Sequence, residues 1–194
     1  MKLINFIPVI LFFLFSCNES NPDIKAVDKV NNQNDLISFF PVTDFLKGQI
    51  AEIKKKSVNP LKITKFKNHL DSIWLKMEVL DNEFASFLIP EIDSTNLTGL
   101  FSEKRFLDQT IDAFTFTYDP KNTLPDSFLL RRWDVYIDPK SNTVKRIYMI
   151  KETQDQKTLQ LTWQTNKNCR IISIASDLKG NDFVEKEVTI KWDY

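Results

Sequence analysis

The sequence is poor in the residues that most enzyme chemistries require. There is a single histidine, His69, in 194 residues. That excludes a multi-histidine zinc site and leaves little from which to build imidazole acid–base catalysis. His69 stands in a basic, polar stretch with no serine-hydrolase motif around it and reads as a surface residue. Three glycines in the whole chain leave no phosphate-cradling loop of the P-loop or dinucleotide type. There are two cysteines and no Cys-x-x-Cys, and no acidic run has calcium-loop spacing. Neither sign of charge is in excess, with 26 basic and 26 acidic residues, so nothing points to nucleic acid, which needs a basic face to neutralise phosphates. No cofactor or metal is expected, and a catalytic role is the less favoured expectation. Paired carboxylates are the one catalytic option left, and Glu83, Glu91, Asp108, Asp112 and Asp134 are available for it. Nothing in their spacing selects a pair, and they read as solvated surface groups.

What the chain does have is aromatic bulk and an informative N-terminus. Sixteen phenylalanines and a 42% hydrophobic fraction suffice for one sizeable core. Met1-Lys2 gives a positive start, and Leu3 to Phe15 is apolar except for Asn5 and Pro8. At about 13 residues the run is short of the roughly 20 that span a bilayer, and it suits the apolar region of a secretory signal. Leu14-Phe15-Ser16-Cys17 follows, and then the polar run Asn18-Glu19-Ser20-Asn21-Pro22-Asp23.

This arrangement resembles the lipobox of bacterial lipoproteins, with Leu14 at −3, Ser16 at −1 and Cys17 at +1. Phe15 departs from the small residue usual at −2. The resemblance implies diacylglycerol on the Cys17 sulfur, cleavage before Cys17, and further acylation of the new amine by a fatty acid such as palmitate. Several acyl chains give stable anchoring where one binds only marginally. The implied location is the cell envelope, anchored to a bacterial membrane and facing the periplasm or the surface. Asp71-Ser72-Ile73 and Asp93-Ser94-Thr95 resemble the O-glycosylation sequon of exported proteins in Bacteroidota-type bacteria, which makes Ser72 and Ser94 candidate glycan sites. Asp93-Ser94 also suits a helix cap. As a whole the chain resembles the small envelope lipoproteins of those bacteria.

The expected organisation is a signal peptide over 1–16, a lipidated Cys17 with a flexible tether over 17–34, and one domain over 35–194. With Cys17 committed, Cys169 has no disulfide partner, and in its strand-like run it reads as a small buried residue. Pro41 opens a helix whose Val42, Phe45, Leu46, Ile50 and Ile53 share a face. Leu61 to Phe66 is strand-like. Glu78 to Leu88 suits a second helix, and Asp93 to Phe101 a short third. From Ile111 onward alternating segments joined by short polar turns read as about six antiparallel strands. The predicted fold is therefore α+β, with two or three N-terminal helices on one face of an antiparallel sheet of about six strands. A closed or half-closed β-barrel is the competing architecture.

Alternation also places Arg132, Asp134, Tyr136, Gln160, Thr162 and Lys191, with Thr115, Thr117, Gln164 and Thr189, on the wetter sheet face. That face reads as a solvated surface or as a docking surface, since tyrosine and arginine are enriched at hot spots. Three roles stay open: a non-catalytic module binding another envelope protein or a glycan, an envelope hydrolase using two carboxylates, and a carrier of a small apolar ligand. For the anchor the expected outcome is specific: radiolabelled palmitate fed to cells marks the full chain and leaves Cys17→Ser unmarked.

Overall fold

The computed structural model describes residues 38–56 and 58–193. The expectations for the signal peptide, Cys17 and the tether lie outside the described residues. Helix α1 (Val42–Lys56) buries Val42, Leu46, Ile50 and Ile53, the 3–4 spacing seen in the sequence. Helix α2 (Leu80–Leu88) buries Leu80, Phe84 and Phe87 and is preceded by a 3-10 turn at Met77–Val79. Between and after them run nine strands: β1 (Leu61–Phe66), β2 (His69–Trp74), β3 (Phe101–Asp108), β4 (Ala113–Pro120), β5 (Leu130–Ile137), β6 (Val144–Glu152), β7 (Thr158–Gln164), β8 (Asn168–Ser176) and β9 (Asp182–Lys191). All join one antiparallel sheet in the order β2-β1-β9-β8-β7-β6-β5-β4-β3.

This corrects the predicted architecture in three respects. The sheet has nine strands rather than about six. The helices do not form an N-terminal block, because the β1–β2 hairpin lies between them. The third helix does not form. Asp93 Oδ1 accepts from the backbone N–H of Thr95 and of Asn96, both at 2.6 Å, as a cap would. The chain then passes through successive turns, and Phe101, fully buried, enters β3. The sheet is not a closed barrel either, since the order ends at β2 on one side and β3 on the other.

Beyond the strand-like Leu61 to Phe66 segment, which forms β1, two strands were not foreseen, β2 and β3, and they share a cause. Every residue of β2 is exposed, and so is half of β3, because they are the edges. A strand with no buried face carries no alternation to read. On β3 the run Glu103-Lys104-Arg105 charges the edge, which discourages pairing with another chain.

The inner face of the sheet is an aromatic layer. Tyr118 stacks on Trp133 with ring centroids 4.5 Å apart, and Phe39 meets Tyr118 edge-on at 4.9 Å. Trp163 lies beneath α2, with Phe84 at 5.1 Å, Phe87 at 5.3 Å and Trp192 at 5.0 Å. Lys62 on β1 pairs with Glu83 on α2 at 2.7 Å and ties the helix to the N-terminal hairpin. Two helices and this layer fill the inner side. Deleting the Trp163 indole should therefore cost about 3–5 kcal/mol, as for other large aromatics removed from cores. Leu70→Ala, on the exposed edge, should stay within about 0.5 kcal/mol. Urea denaturation of the two variants checks both.

Candidate functional site

The residues predicted for the wetter face do share one side of the sheet, and the strand order fixes their distances. Arg132, Asp134 and Tyr136 lie along β5 and touch. Arg132 Nε and a terminal guanidinium nitrogen each lie 3.3 Å from Asp134 Oδ1, and the Tyr136 hydroxyl donates to Asp134 Oδ2 at 3.3 Å. Arg132 also reaches Asp119 on β4 at 3.6 Å. Gln160 and Thr162 sit on β7, with β6 between them and β5. Lys191, on β9, is four strands from β5, or about 19 Å at the usual strand spacing.

The strand between supplies what the sequence reading missed. Asp134, Tyr148 and Thr162 stand in one cross-strand row, and Tyr136, Arg146 and Gln164 in the next. The Arg146 guanidinium lies over the Tyr136 ring at 3.9 Å. Thr143 to Lys151 was legible as a return strand, and continuing the alternation across it would have placed Arg146 and Tyr148 here.

The floor of this face is drier than a solvated face should be. Thr115, Thr117 and Asp134 are buried, and the two threonine hydroxyls have no hydrogen-bond partner. A buried carboxylate needs compensation, which Arg132 and the Tyr136 hydroxyl provide. Burial, and next the nearby Asp134 charge, push the Tyr136 and Tyr148 phenols up.

The candidate acid pair does not assemble. Glu83 is bound to Lys62, Glu91 to Lys47 at 3.2 Å, and Asp108 to the Thr110 hydroxyl at 2.5 Å, all on separate elements. Asp112 lies in the β3–β4 turn with φ 46°. Every described carboxyl whose pKa is displaced is displaced downward; Asp93, for instance, is held down by the Thr95 and Asn96 backbone N–H groups. Among the described residues no cluster of three or more His, Cys, Asp or Glu is placed to hold a metal. No described helix is long and apolar enough to cross a membrane. Cys169 is fully buried, which pushes its thiol up. His69 and Ser72 are exposed on β2, and Ser94 is half-buried.

A second feature had no signal in the sequence. A groove of about 600 Å³ runs between the C-terminal end of α2 and the turn joining β6 to β7. Its apolar lining is Ala85, Ile89, Pro90, Phe128, Leu129 and Leu159, and Lys151 lies against it. Lys151 occupies an inward position on β6, opposite Leu130 and Leu159, and is only 5% exposed. Its ammonium donates to the carbonyl oxygens of Ser86 and Ile89, at the end of α2 where helix carbonyls lack intrahelical donors. Burial lowers its pKa to about 8.

Comparison with protein-family models, with curated proteins and with solved structures found no match.

Lys151 makes stability depend on pH. Between its folded value of about 8 and the unfolded lysine value of about 10.4, the unfolded chain binds more protons. The contribution of Lys151 to stability should therefore rise with pH through that window, by at most about 1.4 kcal/mol per unit. Denaturant melts of wild type and Lys151→Met across the window check this: the stability of wild type relative to the variant should rise with pH.

Proposed function

We propose that the chain is a membrane-tethered envelope lipoprotein whose domain is a non-catalytic binding module. Its anchor is Cys17, and its partner is a second envelope protein docking on the outer face of the sheet. The observation that carries this reading is the Arg132–Asp134–Tyr136–Arg146 network. It stands on a buried polar floor, on the face that no described helix covers. Charges of both signs, neutral hydrogen-bonding groups from Gln160 and Thr162, and two tyrosines suit a protein surface of mixed polarity. Arg146 already occupies the Tyr136 ring face that a sugar would stack on, which favours a protein over a glycan. Ser72, exposed on the edge strand, is open to the O-glycosylation that its sequon implies, and Ser94 is the second candidate for it.

The test is a photo-crosslinking residue at Gln160 in the full chain in its native envelope, with the same residue at Lys55 on α1 as the control. The expected result is one dominant protein adduct from Gln160. It should fall severalfold with Arg132→Ala or Tyr136→Ala while the domain stays folded. Adducts from Lys55 alone, or a Gln160 adduct indifferent to both substitutions, would remove the outer face as the docking surface.

A further inference from the structure

We infer that the groove beside α2 binds a long-chain carboxylate, a fatty acid, with its acyl chain along Ile89, Phe128 and Leu159 and its head on the Lys151 ammonium. This site lies apart from the outer sheet face and does not rest on the docking proposal.

The first argument is charge. Lys151 is a buried cation, and among the described residues no carboxylate pairs with it. The acids nearest in sequence are engaged elsewhere. Glu152 is held by Arg131 at 2.5 Å, and Asp155 by Lys157 at 3.1 Å and the Thr153 hydroxyl at 2.5 Å. Two neutral carbonyls stabilise an ammonium only in part, and an ionised group in an apolar setting gains most from an opposite charge. An ammonium has three protons. Two are taken by the Ser86 and Ile89 carbonyls, which leaves one donor for an anion. The Ser86 hydroxyl, on one of the same residues, is buried without a hydrogen-bond partner and offers a second.

The second argument is shape and lining. The groove volume of about 600 Å³ lies within the roughly 300–1,000 Å³ of small-molecule sites. Its walls are mainly apolar, and Ile89 at its edge is 69% exposed and so open to a ligand. Two acids also line the groove, Glu152 and Asp155, and each is neutralised by its own pair with Arg131 or Lys157. An apolar trough with one uncompensated buried cation therefore matches a ligand with one apolar chain and one anionic end. A wholly apolar ligand would leave Lys151 uncompensated, and a small anion would leave the trough empty.

The test uses the full chain carrying Cys17→Ser, so that no attached acyl chain competes for the groove, and dansyl-undecanoic acid as the fluorescent probe. Wild-type groove residues should bind it at one saturable site. Palmitate should displace it, and methyl palmitate, which has the same chain and no charge, should be at least tenfold weaker. Lys151→Met should weaken palmitate at least tenfold. Ser127→Trp, at an exposed position lining the groove, should abolish probe binding without touching the core, and so keeps the test decisive if Lys151→Met fails to fold. No probe binding, equal displacement by palmitate and its methyl ester, or binding that survives Ser127→Trp would each overturn the inference.

Discussion

Two helices of 15 and 9 residues can cover only one face of a nine-stranded sheet. Most other features of the molecule follow from that shortage. The covered face is packed with aromatic side chains, Trp163 beneath α2 and Trp133 against Tyr118 and Phe39. Among the described residues the other face receives no second layer, and it must shield its own centre. It does so with long side chains laid along the strands, Arg132 against Asp134 and Arg146 over Tyr136. A polar surface built this way is already ordered before anything touches it. A partner of the kind proposed would avoid part of the entropy of fixing flexible arginines.

Legibility in the sequence tracked burial. β4, β5, β7 and β9 each set one face against the aromatic layer, and their alternation of large apolar with polar residues showed which side chains share a face. β2 and β3 bury little on either side, so their sequences carry no comparable rhythm. The Asp93 cap shows the converse failure. A correct local signal, with its hydrogen bonds made, led into turns rather than a helix because Phe101 belongs to the core and the chain must reach β3. Propensity was overruled by tertiary packing.

The same logic explains why Arg132, Asp134 and Tyr136 were readable and Lys151 was not. The first three alternate with buried Trp133 and Val135 on one strand, so a single segment gives their side. Lys151 is next to last in its strand, where lysine is ordinarily solvated. Only the arrival of α2, whose terminal carbonyls need donors, makes an inward lysine tolerable there. That pairing joins elements far apart in the chain, and no window of sequence contains both.

The neighbour of β1 in the sheet, besides its own hairpin partner, is β9, with Leu61 opposite Lys191. Synthesis runs from the N-terminus, so the first hairpin exists long before the strand that completes it. Until β9 arrives, the β1–β2 ribbon is a two-stranded fragment, marginal in water by itself. Contacts this distant in sequence close slowly and leave apolar surface in the open meanwhile. The domain is thus latched by its own last strand, and a chain truncated before β9 would lose its first hairpin along with its end.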